Sequence, residues 1–394
     1  VHGHRKREID AAVAAQLRKI AHSTLLGLSN VPAALLAEKL VRIAPKGLTR
    51  VFYSDSGSTA VEIALKIAFQ YWRQKGPNKR SKTRFISLRE AYHGDTIGSV
   101  SVGGIDLFHR LYRPLLFPSH KIDAPYCYRC TLGRTWPSCG MECAERAGKI
   151  IRERALETAA LVIEPLVQGA AGMLTHPPGY LRRIRELCTK HGILMIVDEV
   201  ATGFGRTGTL FACEQEKVLP DIMAVAKGIT GGYLPLAATL TTDEIYRGFL
   251  GEYRELKTFF HGHTYTGNPL ACAAAIANID LFRKERTLKK LEPKIVRLKK
   301  ELGRVRELAH VGDIRQRGFM VGIELVKDRG TKEEYPLEEK IGIRVMKEAR
   351  QRGLIVRPLG NVIVLMPPLS IAMTDIVRMI EVVHASIRKV TEGM

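Results

Sequence analysis

The segments ILMIVDEVATGFGRTG (193–208) and DIMAVAKGITGG (221–232) decide how this chain is read. Each begins as a short apolar run, rich in Ile, Val and Met, and breaks off at a charged residue and a glycine. Such runs are the pattern of strands buried on both faces of a parallel sheet. In an open α/β sheet, residues just past the carboxyl ends of the strands face the ligand crevice. Asp198 and Lys227 are therefore expected at the rims of two buried strands, either as a plain ion pair or as a site.

Working outward, helical and strand patterns alternate. VFYSDSGSTAVEIALKIAFQYW reads as strand, loop and helix, and RFISL (84–88) as a strand. AALVIEPL (159–166) is a strand carrying Glu164 at its end, and GYLRRIRELCTKHG (179–192) is a helix stopped by glycine. LPLAATL (234–240) is a further strand, followed by an Ala-rich helix from Asn268. This alternation predicts an α/β fold, with a mostly parallel sheet covered by helices on both faces. After residue 280 the character changes to a long charged helix, a strand pair in GDIRQRGFMVGIELV, a helix over 337–351, strands GLIVRP and NVIVLMPP, and a last helix. The expected domains are thus a large one over 1–279 and a smaller α+β unit over 280–394. A chain of 394 residues is too long for one compact core, which agrees with two units.

Composition narrows the function classes. With 45% hydrophobic and 26% charged residues the chain reads as an ordinary soluble enzyme. No apolar run approaches the roughly 20 residues that cross a bilayer. VHGHRKREID lacks the apolar stretch of a signal peptide, so the reading is a cytoplasmic protein without membrane contact. The net charge of +21 raises the question of nucleic acid. However, the basic residues are spread over amphipathic stretches such as 286–308, with no aromatic platform among them, so no nucleic-acid partner is expected.

Four of the seven cysteines, Cys127, Cys130, Cys139 and Cys143, form CYRCTLGRTWPSCGMEC. The spacing is that of a compact structural zinc knuckle, and a reduced thiol cluster has the same pattern. A closed tetrathiolate would brace a surface excursion and take no part in catalysis.

A lysine and an aspartate at the rims of two buried strands suit pyridoxal 5′-phosphate (PLP). The lysine forms a Schiff base, and the aspartate keeps the pyridine nitrogen protonated. Other segments carry compatible residues. SDSGSTAVE (54–62) sets Gly57 and Ser58 where a strand turns into a helix, a place for phosphate, or else Ser56 or Ser58 is a simple N-cap. AYHGDT (91–96) offers Tyr92 as a ring to stack on a cofactor, or as a half-buried turn residue. In FFHGHTYTGNP (259–269), Thr264 is placed to reach a phosphate oxygen and Gly262 to leave room for substrate. Arg357 and Arg206 are candidate carboxylate grips, or ordinary arginines. Glu164 either tunes a cofactor's hydrogen bonds or merely ends its strand.

Taken together, VDEVATGFGRTG, AKGITGG, SDSGSTAVE, AYHGDT and HGHTYTGNP resemble the fold-type I, class III aminotransferases, over essentially the whole chain. The resemblance implies PLP bound through Lys227, with Asp198 at the pyridine nitrogen, Gly57 and Ser58 at the phosphate and Tyr92 on the ring. It implies a homodimer with shared active sites, in which Thr264, with His263 beside it, serves the neighbouring subunit's phosphate and Gly262 lies near substrate. Within the class, AHSTLLGLSN, FGRTGTLFACE and RPLGNVIVLMPP look like members that aminate 8-amino-7-oxononanoate (KAPA) in biotin biosynthesis, with Arg357 on the KAPA carboxylate. The small-molecule donor is S-adenosylmethionine or L-lysine. HGHT, where S-adenosylmethionine-using members read HGPT, and Val364, where some carry tyrosine, leave that choice open. The resemblance also leads one to expect a further amino-terminal segment walling the substrate pocket. Rival readings are another class III ω-aminotransferase and a noncatalytic binding protein on the same fold.

Overall fold

The computed structural model describes residues 1–76 and 81–393. Its centre is a seven-stranded sheet made of β1 (Leu48–Ser54), β2 (Arg84–Leu88), β3 (His120–Ile122), β4 (Thr158–Ile163), β7 (Leu194–Asp198), β8 (Ile222–Val225) and β9 (Ala237–Thr242). The short β5 (Val167–Gln168) and β6 (Leu174–Thr175) pair as a separate hairpin. Across the large sheet the order is β1-β9-β8-β7-β4-β2-β3, and only β9 runs against its neighbours. Strands β4, β7 and β8 are buried along their whole length, which is why their sequences are apolar runs without alternation.

Helices α1 (Arg7–Leu17), α2 (Val31–Ile43) and α3 (Gly57–Gln74) precede and follow β1. Ser56 caps α3, its side chain accepting from the Thr59 amide while Thr59 bonds back to the Ser56 amide. That reciprocal pair fixes where the helix begins. Nine apolar side chains of α3 are buried, and residues from Ala60 to Trp72 form one cluster with the β4, β7 and β8 side chains on that face of the sheet.

A second sheet is antiparallel: β10 (Val311–Arg317), β11 (Met320–Asp328), β13 (Arg357–Leu359) and β14 (Val362–Leu365) in the order β10-β11-β14-β13, with β12 (Glu333–Glu334) against β11. It lies within the same continuous apolar core as the first, a cluster extending from Ala33 to Ile387. The expected strand GLIVRP is mostly not a strand. Gly353 at φ +82° and the Leu354 amide bonding to the Ala349 carbonyl close the helix Ile341–Gln351 in a Schellman turn, so extended pairing starts only at Arg357. Likewise the strand expected from Leu234 begins at Ala237, because Thr230 and Leu234 bond each other in the turn that follows β8.

A buried polar network ties the second sheet to the β5–β6 hairpin and to the cysteine-bearing excursion. The Arg315 guanidinium on β10 donates to the Gly172 carbonyl in the β5–β6 hairpin at 2.7 and 3.2 Å, and to Glu324 Oε2 on β11 at 2.5 Å. Tyr126, in the cysteine-bearing excursion, also donates to Glu324, and Arg129 holds Glu324 Oε1 at 2.6 Å. The Arg315 and Glu324 side chains are 4% and 8% exposed, so neither charge has water to fall back on. R315M is expected to lower stability by about 3 kcal/mol, the low end for one broken buried pair because Arg129 still holds Glu324. Chemical denaturation would check this, and a variant as stable as the parent would show that the network is dispensable.

Candidate active site

Asp198 is the last residue of β7, and Lys227 follows β8 by two residues. The two strands are parallel neighbours, with Asp198 in register with Ala224, so both charged residues emerge at the same edge. Lys227 adopts φ +47°, a left-handed conformation that costs a non-glycine residue about 1 kcal/mol or more and persists only where surroundings impose it. The surroundings here include Asn278, fully buried on the helix Pro269–Lys284, whose amide donates to the Gly228 and Ile229 carbonyls at 2.9 Å each. Among the described residues no carboxylate forms an ion pair with Lys227, so its amine is available. The alternative of a plain Asp198–Lys227 ion pair is therefore not what the described residues form.

The Asp198 carboxylate is divided between two partners. Oδ1 accepts the Val200 amide at 3.0 Å, and Oδ2 meets His93 Nδ1 at 2.8 Å. Val200 in turn packs on the start of α3, where a Cβ on Gly57 would fall 2.4 Å from a Val200 methyl. Glycine is required at that position by this close approach. The first-turn amides of α3, Gly57 and Ser58 among them, lie where a helix cannot pair its own N–H groups, the usual setting for a phosphate. The Ser58 hydroxyl is already engaged, accepting the Thr96 amide at 3.0 Å and facing Thr96 Oγ1 at 2.8 Å. Gly94, at φ +117°, lets the 91–96 turn close onto Ser58, for a Cβ there would lie 2.4 Å from Ser58 Cβ. Thus the turn carrying Tyr92 and His93 is locked onto the amino end of α3.

Tyr92 donates its hydroxyl to Asp95 at 2.8 Å. Burial and that bond push the phenol up to about 12, with Arg357 pulling down and Asp198 adding to the rise, so the ring lies within electrostatic reach of both. Arg357 opens β13, exposed and paired with Val364. The His93–Asp198 contact brings the Tyr92 turn to the end of β7, and Arg357 acts on the Tyr92 phenol only electrostatically. Glu164, just past β4, is 5% exposed and accepts the Tyr92 amide at 3.0 Å and the Gly169 amide at 2.9 Å. It braces the Tyr92 turn against the following hairpin. Arg206 is not gathered with them in the same way. Its guanidinium donates to the Pro367 carbonyl at 2.5 Å, and burial pulls it down to about 10. Gly262 and Thr264 are exposed on the loop before Pro269, where His263 Nε2 stands 3.5 Å from Asp55.

The zinc expectation is not supported. Cys127, Cys130, Cys139 and Cys143 all line one pocket, but Tyr126, Leu132 and Trp136 line it as well. Among the described residues no group of three or more His, Cys, Asp or Glu side chains is placed to hold a metal ion.

Residues 1–387 match the family described as Aminotransferase class-III, and the chain belongs to that family. It is an aminotransferase, and the family implies PLP as cofactor. The chain is 58% identical over 394 residues to the adenosylmethionine-8-amino-7-oxononanoate aminotransferase of Geobacter sulfurreducens, covering all of this chain and 86% of the relative. The crystal structure of the enzyme of that name from Methanocaldococcus jannaschii superposes with a TM-score of 0.93 at 48% identity, covering 98% of this chain and 86% of that one. An amine transaminase from an uncultivated Pseudomonas species, solved in its PLP-bound form, gives 0.94 at 38% identity, covering 98% and 88%. The architecture is that of the fold-type I transaminases, as expected.

His93 and Asn278 were missed as site residues. His93 sits in the AYHGDT motif, yet nothing local reveals a partner 105 positions away. Asn278 is one polar residue in an apolar helix, PLACAAAIANIDLFRK, and that contrast was the available signal.

Burial pushes the Glu164 carboxyl up from 4.5 to about 7, with Asp198 adding and His93 opposing. The folded protein thus holds this proton more tightly than the unfolded chain, and this residue's contribution to stability falls as pH rises from about 4.5 to about 7. E164Q should lack that part of the slope. The stability difference, variant minus parent, is expected to increase with pH across this window in denaturant titrations, and parallel curves would refute it.

Proposed function

We propose that this aminotransferase transfers an amino group to KAPA, giving 7,8-diaminononanoate in biotin biosynthesis. The observation that carries the reading is the His93–Asp198 contact, which sets the Tyr92 turn beside the edge from which Lys227 emerges. The relatives at 58% and 50% identity bear the name of that enzyme.

The site's residues suit PLP, because a buried carboxylate, an available strained lysine and a glycine-bearing helix start lie along one sheet edge. When bound, the cofactor supplies an electron-withdrawing ring and a carrier for the amino group. In this reading the Gly57 and Ser58 amides hold its phosphate, Lys227 Nζ is its attachment point, and the Asp198 carboxylate faces the protonated ring nitrogen. Released from that attachment, Lys227 Nζ takes the proton from the donor's amine-bearing carbon and returns one to the acceptor's carbon in the second half of the ping-pong cycle. Tyr92 stays a neutral phenol at working pH, held by Asp95, and walls the substrate space. Arg357 offers two parallel N–H groups to the distal carboxylate of KAPA. Glu164 acts on the cofactor through the Tyr92 backbone, and Arg206 shapes the pocket's edge from the Pro367 carbonyl.

We further read the protein as a homodimer. Leu17, Ile20, Leu26, Leu28, Val31 and Leu35 are all exposed near the amino end, as are Leu107, Leu111 and Leu115 in the 106–115 segment. Such aliphatic side chains are of the kind a partner subunit would cover. Exposed Thr264 and Gly262 then lie free to complete the neighbouring subunit's site. Sedimentation at micromolar concentration is expected to give twice the chain mass of 43.9 kDa, and a monomer would remove the shared-site reading. Among the described residues no helix is long and apolar enough to cross a membrane, which is compatible with a cytoplasmic enzyme.

A single-turnover experiment tests the reaction. PLP-loaded protein is mixed with S-adenosylmethionine or with L-lysine, and the loss of its visible absorbance is followed before KAPA is added. One donor is expected to bleach the band and KAPA to restore it, which also names the donor. Bleaching with recovery only on pyruvate would instead assign an ω-aminotransferase acting on other amines, the activity suggested by the amine transaminase likeness.

A further inference from the structure

His93 has no part in the reaction as described, yet it makes the shortest contact to Asp198. Its side chain is 0% exposed, and its Nδ1 lies 2.8 Å from Asp198 Oδ2. An ionised carboxylate only accepts, so the proton of this bond sits on Nδ1. The other ring nitrogen, Nε2, is buried and has no hydrogen-bond partner among the described residues. The imidazole's polar engagement is therefore with Asp198 alone. Its backbone cannot drift, because the Gly94 turn closes on Ser58 and Glu164 holds the Tyr92 amide. With Val200 N–H on one oxygen and His93 on the other, the plane of the carboxylate is fixed from both sides. A single backbone bond would leave it free to swing about its terminal torsion, which is broad for aspartate.

We propose that His93 is a positioning residue for Asp198. Its Nδ1–H sets the carboxylate plane from which the site recognises the ring nitrogen of PLP, without itself touching the cofactor. The proposal rests on the reading of Asp198 as the partner of that nitrogen.

The test compares two cofactors on the apoenzyme: PLP, and 1-deazapyridoxal phosphate, whose ring nitrogen is replaced by carbon. Both carry the aldehyde and the phosphate, so contributions from Lys227 and from the start of α3 cancel in the ratio of their dissociation constants. Fluorescence titration gives that ratio for the parent, H93N and H93Q. Asparagine places its amide nitrogen where Nδ1 stands and keeps the bond, whereas glutamine places its own near Nε2 and loses it. The parent is expected to prefer PLP by about tenfold or more, the contribution of one charge-assisted hydrogen bond. H93N should hold that preference and H93Q should fall to about threefold or less, since a loosened carboxylate forfeits most of that bond. If H93Q keeps the parent's ratio, or if both variants weaken the two cofactors equally, His93 is only packing and the proposal is overturned. A parent with no preference for PLP would overturn the Asp198 reading itself. Thermal melts of each apoenzyme check folding, and an unfolded H93Q is replaced by H93L, for which the same fall is expected.

Discussion

Asp198 is a carboxylate taken almost entirely out of water at the rim of a parallel sheet, and the site is arranged around the cost of keeping it there. A buried charge is tolerated only when paired and hydrogen-bonded. Its two oxygens recruit the Val200 amide and the His93 ring, and each of those is tied elsewhere. Val200 presses on Gly57 at the start of α3, and the His93 turn closes on Ser58. Satisfying one anion thereby brings the β7 end, the start of α3 and the turn after β2 to a common point. Where a phosphate and a pyridine nitrogen have to be held at a fixed separation, such coupling is what a rigid site needs.

The second sheet enters through a different constraint. Arg357 lies on β13, which is joined through β14 and β11 to β10, and β10 is fastened to the β5–β6 hairpin by Arg315. That hairpin follows Glu164, the residue bracing the Tyr92 turn. A path of hydrogen bonds joined by short stretches of chain therefore runs from the arginine proposed to grip a distal carboxylate to the aspartate proposed to face the ring nitrogen. It gives a physical reason for the burial of Arg315 and Glu324 at positions where apolar residues would otherwise serve.

Much of this was legible in the sequence. Residues 193–197 and 222–225 are apolar without alternation because strands covered on both faces have no solvent side, and that pattern placed Asp198 and Lys227 at strand ends. Helix starts were legible where a capping residue is local, as at Ser56 and Asn268. Reading failed where an apolar run was consumed by a turn. Leu354–Val356 looks like strand, but the Schellman closure at Gly353 claims its start. It failed again at the cysteines, whose spacing allowed a knuckle while the fold gathers them around a pocket shared with Trp136 and Leu132.

The sequence by itself determined the sheet order's raw material: which runs are buried strands, where each ends, and which charged residue each end carries. These are local properties, set by hydrophobic period and by caps a few residues away. Only the tertiary structure decided which of those ends meet. That His93 faces Asp198 and that Asn278 holds the Lys227 turn in its left-handed form are contacts across 105 and 49 to 50 positions. No period or spacing encodes them, because they arise when parallel crossovers stack distant segments on one edge. The physical reason is that burial energy is indifferent to sequence separation, whereas pattern is not.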